Sequence, residues 1–252
     1  MYILLRALLY ICPIVLIIYG FLIKNVGYWW QFLIVLFLFL LGTIFAVCKF
    51  KLNKDFLHFL ILPVFFVFSG VYFMMYIIND VFYYIFIVVL AMFLYALLKQ
   101  YYLYFYFPFK YQPYSLESLS LYISWLTAFF IFSGTFAGLL LLQLPLTFLI
   151  SVMFVSLALV VYQFFWINKI NFNKGWLFIL IILLIIVELF IAISFLPNGY
   201  YVDSFVLGVA LYILLGLSKA FFQEKLNSRT VAQYVIVGGL SILLVLLTAR
   251  WS

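Results

Sequence analysis

About nine stretches of this chain are apolar and long enough to cross a bilayer, and together they take up nearly all of it. A helix needs about 20 mostly apolar residues to span the hydrocarbon core. Inside lipid every backbone N–H and C=O must be bonded within the protein, so a span is a helix or part of a closed barrel. Barrel strands read as short alternating segments. Trp176–Leu196 (WLFILIILLIIVELFIAISFL) is instead one continuous apolar run. The pattern predicts an all-α integral membrane protein, a polytopic bundle of about nine transmembrane helices that forms a single domain over residues 1–252.

The spacing predicts spans at Ile3–Ile23, Tyr28–Cys48, Phe56–Ile78, Val81–Leu98 and Leu119–Leu142, then at Pro145–Ile167, Trp176–Leu196, Ser204–Phe222 and Thr230–Trp251. The first run is longer than a signal-peptide core and has no small-residue cleavage pattern, so it reads as a retained span. Basic residues set the orientation. With the N-terminus cytoplasmic, Lys49, Lys51, Lys54, Lys99, Lys110, Lys169, Lys174, Lys219, Lys225 and Arg229 all fall in inner loops, with Arg6 near the inner end of the first span. Only Lys24 and Arg250 fall outside. That is the bias of the positive-inside rule, and it places the C-terminus outside. Trp29, Trp30 and Trp251 at outer ends, and Trp166 and Trp176 at inner ends, fit interfacial belts.

With only 8% charged residues there is no room for a soluble domain. The net charge of +7 sits in short loops without a dense basic patch, so it reflects topology and excludes a nucleic-acid partner. Lys99–Ser118 (KQYYLYFYFPFKYQPYSLES) is the one long connection; its aromatic content predicts a segment lying in the cytoplasmic interface. Usage of Phe, Ile, Tyr, Lys and Asn over Ala points to an AT-rich bacterial genome, and hence to the inner cell membrane.

Chemistry-bearing residues are few. Glu188 falls inside the seventh span, and an ionisable group there marks a functional position by default. Its readings are a ligand- or proton-binding carboxyl and a structural carboxyl paired with Arg250, Asp203, Gln143 or Asn79. Asp80 and Asp203 stand at outer helix starts, where N-capping accounts for them; with Glu188 they could instead line an acidic vestibule. Small residues predict close helix packing: Gly134 and Gly138 on a face with Ser120, Ser124 and Thr127, Gly208 beside Ser204, and Gly238 with Tyr234 and Ser241. One histidine, His58, and two distant cysteines, Cys12 and Cys48, make no metal motif, and no cofactor is implied. No H-E-x-x-H, P-loop or G-x-S-x-G occurs, so nothing identifies a catalytic centre.

The stretch Glu188–Gly216 (ELFIAISFLPNGYYVDSFVLGVALYILLG) resembles bacterial multi-pass membrane proteins classed as domains of unknown function. The likeness rests on an E-L-F run, a P-x-x-Y-Y turn and a following span. It implies no activity and directs attention to Glu188 and the turn at Asn198–Asp203. Three functional readings stand: a structural or accessory subunit of a membrane complex, a small transporter or lipid-handling protein using Glu188, and a membrane enzyme acting on lipid-linked substrates. The partners implied are the lipid bilayer and either another protein chain or further copies of this one.

Overall fold

The computed structural model describes residues 9–18, 20–21, 29–48, 54–112, 114–196 and 198–248. Their regular structure is helical: α1 (Leu9–Ile18), α2 (Trp29–Val47), α3 (Lys54–Met74), α4 (Asp80–Tyr106), a 3-10 turn (Pro108–Lys110), α5 (Ser115–Leu142), α6 (Leu146–Ile167), α7 (Phe172–Ile193), α8 (Tyr200–Phe222) and α9 (Ser228–Thr248). Seven of these, α3 to α9, are long and apolar enough to cross a membrane. The surface agrees with that reading. In α9 only 6% of the most apolar stretch is buried, and Leu240, Leu243, Leu244 and Leu247 stand exposed. A helix apolar on its outer face as well as its inner one belongs in lipid. The chain is thus a helical, multi-pass membrane protein. Much of the first expected span, the margins of the second and last, and Arg6, Lys24, Lys49, Lys51, Arg250 and Trp251 lie outside the described residues.

The fourth helix is longer than the span expected at Val81–Leu98. It has 27 residues, about 40 Å at 1.5 Å per residue against a hydrocarbon core of about 30 Å. Asn79 caps its start: the side-chain carbonyl accepts the N–H groups of Val81 and Phe82 at 2.9 and 3.3 Å. Nothing after it breaks a helix until Pro108. A proline pushes the preceding residue out of the helical region, and Phe107 sits at φ −134°, ψ 63°. The aromatic Lys99–Ser118 stretch is accordingly placed as the end of α4, the 3-10 turn and the first turn of α5. The Tyr111 hydroxyl ties it together, accepting the Leu116 N–H at 3.3 Å and donating to the Glu117 carboxylate at 3.4 Å. Burial, with the Glu117 carboxylate adding to it, raises the Tyr111 pKa above the ordinary tyrosine value.

The helices gather into two compact units, Met1–Ile123 and Ser124–Ser252. In the first, α2, α3 and α4 pack on one another. Gly70 of α3 receives the Leu90 side chain of α4. The Tyr106 hydroxyl donates to the Ala46 carbonyl of α2 at 2.9 Å, and Tyr83 donates to the Gly20 carbonyl at 3.0 Å. In the second, α6 to α9 pack in sequence as hairpins. The part of α5 from Ser124 onward joins them through Phe136, whose ring lies 4.6 Å from that of Phe190 on α7. It also reaches α8 through Trp125, whose indole N–H donates to the Gly208 carbonyl at 2.9 Å.

Three reversals end on left-handed residues that are not glycine: Gln143 (φ 51°), Lys169 (φ 59°) and Glu224 (φ 57°). After α8 the Lys225 N–H reaches back to the Ala220 carbonyl at 2.9 Å, and after α6 the Ile170 N–H reaches Phe165 at 3.0 Å. These bonds satisfy carbonyls that the helix end would leave open.

Candidate functional site

The charged and polar groups singled out by sequence divide between surface and interior. Glu188 is exposed on α7, with no hydrogen bond or ion pair among the described residues. It shares one face with Leu177, Ile181, Leu184 and Ala192, all exposed, at the four-and-three spacing of a helix seam. The opposite face, with Ile179, Ile182, Leu183, Ile186 and Phe190, is buried. The end of α7 at Ile193 is about 8 Å further along the axis, so the carboxyl stands well within an apolar helix.

Asp203 is placed the other way. It lies in the first turn of α8, 2% exposed, and its carboxylate takes a hydrogen bond from the side chain of Asn198, itself 6% exposed. The Oδ1 atoms of both residues have no partner among the described residues. The capping role expected of Asp203 does not hold. The residue at the cap position is Gly199, and Asp203 is too far into the helix to reach the free N–H groups. Asp80 is likewise corrected: Asn79 occupies the cap and Asp80 is the exposed first helical residue of α4, in the other compact unit. Arg250, a suggested counter-charge for Glu188, lies outside the described residues.

The glycines have distinct surroundings. Gly208 backs onto the Trp125 indole, where an added Cβ would sit 3.4 Å from Nε1. Gly238 of α9 faces α8, where a Cβ would sit 3.0 Å from Ile213 Cγ1 and 3.3 Å from Val209 Cγ1. Gly134 and Gly138 are buried on α5 with Ser124, Thr127 and Ser133.

Two groups escaped the sequence reading. Gln163 of α6 is fully buried, and neither of its amide atoms finds a partner among the described residues. Asn198 holds Asp203 from the turn already marked by the resemblance, but its bond to that carboxylate was not foreseen. The signal for Gln163 was a lone amide deep in an apolar run; for Asn198 it was a polar residue five positions before an acid. Among the described residues no three His, Cys, Asp or Glu side chains gather where they could hold a metal ion.

What this arrangement offers is a carboxyl presented outward from an apolar helix face, and a second carboxyl locked inside. The two are not directed into one cleft. No protein-family model, curated protein or solved structure matches the chain.

Proposed function

We propose that this protein is a structural or accessory subunit of a membrane complex, and that it docks through the outer face of α7. One observation carries the reading: Glu188 is exposed in the middle of an apolar helical seam. Ionisable residues in membrane helices face a bundle interior or a watery cavity and pair there, because a charged group at the bilayer centre is costly. Glu188 has neither environment among the described residues, and this reading takes its pairing group from another chain.

The occupant this chemistry selects is a transmembrane helix of a different chain, carrying a Lys or Arg at the level of Glu188. Leu177, Ile181, Leu184 and Ala192 provide the apolar contact on either side. A second copy fits less well. Among the described residues of this unit, Lys174 lies at the start of α7, Lys219 near the end of α8 and Arg229 at the start of α9, all at the end of these antiparallel hairpins away from Glu188. Two copies meeting on this face would set one carboxyl against another. The reading includes nine spans with the N-terminus in the cytoplasm and the C-terminus outside, in the inner membrane of a bacterium.

The test is purification from native membranes in lipid-retaining particles, comparing the natural chain with Glu188→Leu and Glu188→Asp. The expected result is a stoichiometric partner that has a basic residue within a span. It is lost with Glu188→Leu and retained with Glu188→Asp. A chain that purifies alone, a same-chain dimer, or a partner that stays bound to Glu188→Leu would overturn the proposal.

A further inference from the structure

A cavity of about 250 Å³ opens in the first compact unit. Tyr10 of α1, Tyr95, Lys99 and Tyr102 of α4, Phe107 just beyond it, and Lys110 of the 3-10 turn line it. Residues 95, 99 and 102 are spaced by four and three, so α4 presents them on one face. Pro108 then turns the chain and brings Lys110 to the same opening.

The chemistry of this lining is uniform in sign. Among the described residues, two ammonium groups border the cavity and no carboxylate does. Lys110 stands over the Phe107 ring, 5.8 Å from its centroid, which orients a cation without neutralising it. Lys99 is exposed, with no salt bridge or hydrogen bond among the described residues. The third observation is independent of charge. Tyr102 is 5% exposed and its ring is held by Tyr106 and Phe107 at 5.2 and 5.5 Å, which gives the cavity a fixed aromatic wall. On the far wall the rings of Tyr10 and Tyr95 stack at 5.2 Å and their hydroxyls share a hydrogen bond.

We infer that this cavity binds an anionic phosphate group, with Lys99 and Lys110 supplying the charge and the rings of Tyr10, Tyr95 and Tyr102 its walls. Carboxylate ligands would meet the same lysines, but a phosphate offers more acceptor oxygens to the two ammonium groups. The volume is smaller than the roughly 300–1,000 Å³ of pockets that enclose a whole small molecule, so it suits a headgroup or a small ester. Lys99 lies about 29 Å along α4 from Asp80, a full hydrocarbon thickness, which places it at headgroup level. The phosphate comes either from an anionic phospholipid or from a soluble phosphate ester.

The experiment titrates the purified, delipidated full chain with dioleoylphosphatidylglycerol, with dioleoylphosphatidylcholine and with glycerol 3-phosphate, reading bound species by native mass spectrometry. The expected result is saturable phosphatidylglycerol binding that exceeds phosphatidylcholine binding. Each lysine-to-glutamine change should weaken it about fivefold, and Lys99→Gln/Lys110→Gln together roughly 25-fold. The charge-matched pair Lys169→Gln/Lys174→Gln should leave it unchanged. Displacement of the lipid by glycerol 3-phosphate would assign the site to a soluble ester; no displacement would assign it to lipid. Equal phosphatidylglycerol binding by the natural chain and the Lys99→Gln/Lys110→Gln variant, or no saturable binding of any probe, would overturn the inference.

Discussion

Gly216→Ala should loosen α9 without unfolding the rest of the chain. A Cβ built at Gly216 would fall 2.6 Å from Cζ of Tyr234 and 2.9 Å from its Cδ1. A ring held on the α8–α9 seam cannot yield as the tip of an aliphatic side chain would, so the helices must move apart. Overpacking of this kind costs about 1–3 kcal/mol, partly offset by the roughly 1 kcal/mol by which alanine exceeds glycine in a helix. The net loss of up to about 2 kcal/mol is a factor of up to about 30 in the docking equilibrium of α9. It falls on α9 alone because that helix is buried only along its α8 face. Gly239 is the built-in control: nothing lies within 4 Å of a Cβ there, so Gly239→Ala should gain only the helix-propensity term. Hydrogen exchange read by mass spectrometry should show faster exchange confined to α9 in Gly216→Ala. The double variant Gly216→Ala/Tyr234→Ala should recover much of the protection, the signature of direct coupling. Equal protection of α9 in Gly216→Ala and Gly239→Ala would refute the close-contact reasoning.

Three further outcomes follow from single residues. Glu224→Gly relieves a left-handed residue at φ 57° and should stabilise the α8–α9 turn by about 1 kcal/mol in a detergent-titration unfolding assay. Gln163→Met replaces a fully buried amide, unpaired among the described residues, with an apolar side chain of similar shape; the same assay should show a gain of about 1–2 kcal/mol. Trp125→Phe removes the 2.9 Å hydrogen bond to the Gly208 carbonyl and should cost about 1 kcal/mol, seen as faster exchange around Trp125 in α5 and Gly208 in α8.

Much of the fold is legible in the apolar runs, because span length is set by bilayer thickness and basic residues punctuate the loops. The extent of α4 was harder to read. Lys99 and the tyrosines after it resemble an interfacial stop, yet amphipathic residues continue a helix freely, and Pro108 is where it ends. N-caps were misassigned at Asp80 and Asp203 because Asn79 and Gly199 lie one and four residues earlier, and propensity does not rank adjacent candidates. Glu188 stood out in sequence for its rarity, but the face it presents depends on which side of α7 packs, and α7 is apolar all round. The lysine and tyrosine cavity was illegible for another reason: Lys110 joins Lys99 only because the chain turns at Pro108, and Tyr10 arrives from a different helix. Spacing along one helix carried Tyr95, Lys99 and Tyr102; tertiary placement supplied the rest.

The central claim is that the Glu188 face of α7 meets another chain's membrane helix. Photo-crosslinking amino acids at Leu184 and Ala192, beside Glu188, would test it in native membranes, with Leu240 on the exposed face of α9 as the comparison. The account predicts one discrete protein adduct from both α7 positions, abolished by Glu188→Leu, and only lipid adducts from Leu240. Lipid adducts alone from Leu184 and Ala192, unchanged by Glu188→Leu, would contradict it.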